Sequence, residues 1–206
     1  MTAEQLEELL GKVTPGEWVL KREITPEILK EFLDYNHDTG LLFWKERAAK
    51  WFVDSIQGRE YAARCWNGRM AGKPALTALD GHGYRHGNIF NQRNKAHRVA
   101  WAIHTGKWPD NEIDHINGNR QDNRICNLRE ATGSQNICNV PLRADNTSGL
   151  KGVSWHKGAG KWMAQIKFNG YYRYLGLFTD KESAHMAWSI AADKMHKEYK
   201  NDGRPV

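Results

Sequence analysis

The spacing of apolar positions changes along this chain, and each change marks an element. At 3–10 (AEQLEELL) and 26–35 (PEILKEFLDY), Leu, Ile and Phe fall at helical intervals, which predicts two short amphipathic helices, the second opened by Thr25 and Pro26. Residues 41–90 are rich in Gly, aromatics and turn residues, and Gly83–Asn91 followed by Gln-Arg-Asn reads as a hairpin arm. Helical spacing returns at 95–105 (KAHRVAWAIHT) through Val99, Ala102 and Ile103, with Gly106 as its stop. The stretch NVPLRADNTSG at 139–149 then loses all periodicity and marks a domain boundary.

Beyond that boundary the period is two. In KWMAQIKF (161–168) Trp162, Ala164, Ile166 and Phe168 alternate with Lys161, Met163, Gln165 and Lys167, as in a strand with one buried face. Asn169-Gly170 predicts a tight hairpin turn, YYRYLGLF (171–178) the returning strand, and KGVSWH (151–156) a third. Thr179-Asp180-Lys181-Glu182 reads as a capping box before a helix whose Ala184, Ala187, Trp188, Ala191, Met195 and Tyr199 share one stripe. The fold class is therefore α+β, with an N-terminal helical extension at 1–24, one domain at 25–142 and a small sheet-and-helix domain at 143–206.

Composition narrows the partners. The 206 residues are 40% hydrophobic with nine Trp, enough for real cores in one or two small domains. With no leader-like start and no apolar run of membrane length, the expectation is a cytoplasmic protein without a membrane partner. Cys65, Cys126 and Cys138 form no CxxC pair, which argues against a disulfide framework or a thiolate zinc site and leaves them as packing residues. Residues 1–142 hold 19 basic against 18 acidic side chains, and residues 143–206 hold 11 against 6. The excess of +5 in the last third suits a polyanion such as nucleic acid.

The candidate chemistry lies in EIDHINGNRQDNRICNLREATGSQNICN at 112–139. Asparagine is poor inside helices and strands, so this density needs turns or chemistry. EIDH and LREAT read as strands joined by a loop, and SQNICN as a short helix, a unit able to bring Asp114, His115, Asn127 and Asn136 together. Asp and Asn oxygens suit Mg²⁺ or Mn²⁺ rather than a soft metal. His115 would then be free to act as a general base, with Asn127 accepting a hydrogen bond from its second ring nitrogen. Asn117, Asn119 and Asn123 are expected to be loop residues, His97 and His104 packing or surface residues, and His82 and His86 have no role.

DHINGNRQDN…NL…N resembles the HNH nuclease motif in the form whose third signature residue is Asn, as in phage-encoded and homing endonucleases. From His115 to Asn127 is 12 residues and from Asn127 to Asn136 is 9, and AHRVAWAIHTGKWP is similar to the helix and loop leading into that motif. The resemblance implies a ββα-metal core in which Asp114 and Asn136 hold the metal, His115 is the base and Asn127 orients it.

SGLKGVSWHKGAGKWMAQIKFNGYYRYLGLFTDKESAHMAW resembles an AP2 DNA-binding domain, a three-stranded antiparallel sheet packed on one helix whose free face enters the major groove. Alternation puts Met163, Gln165 and Lys167 on that face, with Ser154 and His156 on the first strand and Tyr172 and Tyr174 on the last, and Lys151 is counted with them. The family usually shows more Arg here, so base reading through Arg pairs with guanine is mostly absent.

Together these features predict a Mg²⁺- or Mn²⁺-dependent endonuclease acting on double-stranded DNA, with no other small-molecule cofactor. It would work in the cytoplasm of a bacterial host if phage-encoded. Residues 143–206 would supply affinity and 25–142 chemistry, so that a chain cut to 1–142 would keep its metal site. The alternative is a DNA-binding transcriptional regulator with an inactive core. RNA is disfavoured because its major groove is too narrow for such a sheet.

Overall fold

Thr25 Oγ1 accepts from the Ile28 N–H at 3.4 Å and Pro26 sets the first turn, which starts helix α1 (Pro26–Phe32). The computed structural model describes residues 23–53 and 56–201. The helix predicted at 3–10, and with it most of the 1–24 extension, lies outside the described residues. Helix α1 stops three residues short of its predicted end. Leu33, Asp34 and Tyr35 instead form β1 (Leu33–Tyr35), paired with Trp44, Phe43 and Leu42 of β2 (Leu42–Trp44).

Helix α2 (Arg59–Met70) occupies a region whose sequence predicts only turns and a hairpin. Ala63 is its one buried residue, so it has no apolar stripe for periodicity to reveal. Short strands β3 (Pro74–Ala75) and β4 (Ala78–Leu79) follow, then the expected hairpin of β5 (Arg85–Ile89) and β6 (Gln92–Lys95). It turns at Phe90 and Asn91, both with positive φ. Helix α3 (Ala96–Thr105) buries His97, Val99, Ala100 and Ala102 and ends at Gly106, φ 76°. Strands β7 (Glu112–His115) and β8 (Leu128–Ala131) pair antiparallel, and α4 (Gly133–Cys138) closes the unit. Leu29, Phe32, Leu33, Trp44, Ile89, Val99, Ile113 and Leu128 share one core, which therefore underlies both strands of that unit.

The C-terminal part has its own core. Strands β9 (Val153–His156), β10 (Lys161–Phe168) and β11 (Tyr171–Phe178) form an antiparallel sheet with β10 in the centre, packed against α5 (Lys181–Met195) through Val153, Ala164, Ile166, Ala184 and Trp188. The cap of α5 is Asp180, whose carboxylate accepts from the Ser183 N–H at 2.7 Å, one residue on from the predicted Thr179. Of the cysteines expected to pack, Cys138 is buried, but Cys65 and Cys126 are exposed. Among the described residues no helix is long and apolar enough to cross a membrane.

Candidate active site

The asparagines between β7 and β8 close the loop. Asn127 accepts from the Asn117 N–H at 2.9 Å and donates to the Asp122 carbonyl at 2.8 Å. Asn117 accepts from the Asn119 N–H and donates to Asp122 Oδ2 at 2.8 Å, while Asn119 accepts from the Gln121 N–H. These are Asx-type turns, in which the side chain stands in for a backbone partner. Two outside contacts fix the loop's base. The Tyr35 hydroxyl donates to the Asn123 carbonyl at 2.7 Å, and Gly40, φ 70°, lets its turn approach so closely that a Cβ there would sit 2.5 Å from the Arg124 nitrogen.

His115, at the end of β7, is 3% exposed. Its Nε2 lies 3.1 Å from Asn123 Oδ1, so the amide of Asn123, not that of Asn127, orients the ring. This corrects the expectation from spacing, because Asn127 is committed to the loop and Asn123, fully buried, is the amide that reaches the ring. With Oδ1 accepting, the ring proton sits on Nε2 and Nδ1 is the basic nitrogen. Burial lowers the pKa of His115 below the usual histidine range, opposed by the Asn123 hydrogen bond and the charge of Asp114. His97 stands edge-on to His115 with ring centroids 5.1 Å apart, and Tyr84 lies over both. His97 gave no signal in the sequence beyond its place on an apolar helix.

Asp114 is buried and held from two sides. Arg129, directly across the strand pair, donates to its Oδ2 from Nε at 2.9 Å and Nη2 at 2.7 Å. Asn139 donates to Oδ1 at 2.9 Å, Oδ2 at 3.1 Å and the His115 carbonyl at 2.8 Å. Neither Arg129 nor Asn139 stood out in the sequence. Asn136, on α4, donates to Glu112 Oε2 at 2.5 Å. A small cleft of about 80 Å³ is lined by Tyr84, Asp114, His115, Arg120, Asn136 and Asn139. Arg120 is braced there over the Tyr84 ring, with Nη1 donating to the His82 carbonyl at 2.7 Å.

Among the described residues no group of three or more His, Cys, Asp or Glu side chains could hold a metal. Asp114 and Asn136 line the one cleft and are the two residues there expected to hold a metal. Asn136 gives its amide nitrogen to Glu112, which leaves its carbonyl oxygen as the atom able to face a metal. Oxygen donors of this kind are the type that a hard ion such as Mg²⁺ takes, and both Asp114 oxygens already accept hydrogen bonds from Arg129 or Asn139.

On the sheet, register pairs Met163 with Ser154, Gln165 with Tyr174, and Lys167 with Tyr172, so these six share the face away from α5. Tyr172 and Tyr174 are exposed, and Lys167 Nζ lies 5.5 Å from the Tyr172 ring centre. His156 is also exposed, but its Nδ1 accepts from the Ala159 N–H and holds the next turn. Lys151 departs from expectation. Its ammonium donates to the carbonyls of Cys138, Val140 and Asn201, at the end of α4 and in the C-terminal tail, which removes it from the sheet face. A groove of about 610 Å³ runs between that face and residues 137–147, lined by Ser154, Gln165, Lys167, Tyr172 and Arg143 among others.

Residues 94–137 match the family described as HNH endonuclease. Protein 3.8 of Escherichia phage T7 is 35% identical over 82 residues, which are 39% of this chain and 68% of that protein. No solved structure matches the chain. The family match ends before β9, so the AP2 resemblance of the C-terminal sheet rests on its sequence pattern alone.

Proposed function

We propose, from the premise that this chain belongs to the HNH endonuclease family, that it is a metal-dependent endonuclease hydrolysing phosphodiester bonds in double-stranded DNA. The observation that carries the reading is the convergence of Asp114, His115, Arg120 and Asn136 on one cleft, with the His115 ring neutral and fixed by Asn123. His115 Nδ1 would take the proton of the attacking water, a role typically worth ~10²–10⁴ in rate. Asn123 keeps the other ring proton in place, so that the basic lone pair stays where the water must be. Mg²⁺ or Mn²⁺, held by Asp114 and Asn136, would supply charge for the phosphorane oxygens and for the departing 3′ oxygen. Arg120, whose guanidinium is fixed beside Tyr84, would hold the phosphate. Duplex DNA would be positioned by the AP2-like sheet face, chiefly Lys167, Tyr172, Tyr174 and Gln165. The T7 relative is a phage protein, and this reading has the chain acting in the cytoplasm of a bacterial host.

One observation favours a second reading, a DNA-binding regulator with an inactive core: the Asp114 carboxylate already has a cationic partner in Arg129 at 2.7 Å. Incubation with supercoiled plasmid separates the two. The nuclease reading expects nicked or linear DNA with Mg²⁺ or Mn²⁺ and none in EDTA. Plasmid bound but intact at every metal concentration would favour the regulator.

A further inference from the structure

The groups that hold Asp114 are themselves held by the far end of the chain. After α5 the backbone makes a 3₁₀ turn at Lys197–Tyr199 and comes back against β8. The Glu198 carbonyl accepts from Arg129 Nη1. The Tyr199 ring lies under the same guanidinium, 4.1 Å from its carbon, and its hydroxyl donates to the Glu130 carbonyl at 2.9 Å. Asn201, itself buried, donates from Nδ2 to the Asn139 carbonyl at 3.0 Å. Arg129 thus has its plane set by Tyr199, one amino group on Glu198, and the other two donors on Asp114. Asn139 is pinned by Asn201 on one side and gives its amide to Asp114 on the other.

We propose that Tyr199 and Asn201 are positioning residues of the nuclease site, acting on Asp114 through Arg129 and Asn139. The C-terminal module then shapes the chemistry as well as the affinity for DNA. This inference rests on the reading of Asp114 as a metal ligand. The chemical need is specific. A carboxylate paired with a guanidinium can serve a metal only if its remaining lone pair is aimed into the cleft, and a fork anchored at both ends fixes that aim better than an unbraced one. Partners one shell out from a ligand are worth 10–100-fold in metal affinity or activity when removed. The arrangement also alters the expectation for the chain cut to 1–142. That fragment lacks Glu198, Tyr199 and Asn201, so its Asp114 would have only an unbraced Arg129 and Asn139.

The test uses the full chain and the variants Asn201→Ala and Tyr199→Leu, two so that if one fails to fold the other decides. Mn²⁺ affinity is read by calorimetry without DNA, kcat and KM on a duplex substrate, and duplex Kd in Ca²⁺. The expected result is a Mn²⁺ Kd raised and a kcat lowered by about 10–100-fold, with KM and duplex Kd unchanged. Wild-type Mn²⁺ affinity and kcat in a folded variant would overturn the proposal. So would a variant that loses duplex affinity alone, because that would make the tail part of the DNA-binding surface. A wild-type chain that binds Mn²⁺ yet never cuts would sink the nuclease reading, while the Mn²⁺ affinities of the variants would still decide the role of the tail.

Discussion

Burial of a second histidine beside His115 gives the molecule a measurable response to acid. His97 is 4% exposed, and burial, reinforced by the charges of His115, Lys95 and Arg98, lowers its pKa from 6.5 to about 3. The folded state therefore excludes a proton that the unfolded chain accepts. The stability of the neutral ring is fully present above pH 6.5 and is lost as pH falls from there toward 3. His115 shifts in the same direction for the same first cause. Within that window the melting free energy should drop by up to about 1.4 kcal/mol per pH unit for one such group. Thermal melts of the wild type and His97→Phe across this range check it, and the variant should show the shallower slope. Equal slopes would mean that His97 does not titrate with unfolding. At this scale the sequence was only half legible. The types and spacing of Asp114, His115 and Asn136 are visible in one dimension. Which of two amides four residues apart meets an imidazole depends on how the loop folds, and Asn123 rather than Asn127 does.

Elements whose burial has a period were readable, and those without one were not. Strand β10 runs over the predicted 161–168 because its alternation is uninterrupted, and α3 was visible through Val99 and Ala102. Helix α2 leaves no periodic signal because it buries almost nothing, and α1 ends before its helical spacing does because β1 pairing takes over the residues after Phe32. Close packing between elements leaves no trace in periodicity at all. Gly152, φ 75°, sits where a Cβ would fall 1.9 Å from Trp188 Cδ1, so the turn before β9 can lie on α5 only without a side chain. Gly152→Ala combines overpacking with a strained backbone and should cost about 2–5 kcal/mol. Urea unfolding followed by tryptophan fluorescence should show the loss, and a midpoint equal to wild type would mean that the turn moves aside without cost.

Over the whole molecule, charge and contact assign different tasks to the same C-terminal part. Its +5 formal charge and open sheet face suit a polyanion, while Lys151 and Asn201 tie it to the end of α4 and the residues just after it, and Tyr199 to β8. Lys167 is proposed for the first task. Lys167→Ala should weaken binding about uniformly across duplex sequences and reduce the salt slope of log K by roughly 0.9, the share of one phosphate contact. Fluorescence anisotropy at several salt concentrations reads this, and an unchanged slope would remove Lys167 from the interface. The joint between the two cores is beyond sequence reading, because Lys151, Arg129, Tyr199 and Asn201 make it largely through backbone carbonyls and have no pattern of their own.

The role proposed for His115 is to activate the water that cuts DNA. Single-turnover cleavage of one duplex by wild type and His115→Ala, with duplex Kd measured for both in Ca²⁺, tests it most directly. A rate lower by about 10²–10⁴ is expected in the variant, with Kd unchanged. A His115→Ala protein that cuts at the wild-type rate, or that loses its rate only because it no longer binds, would contradict it.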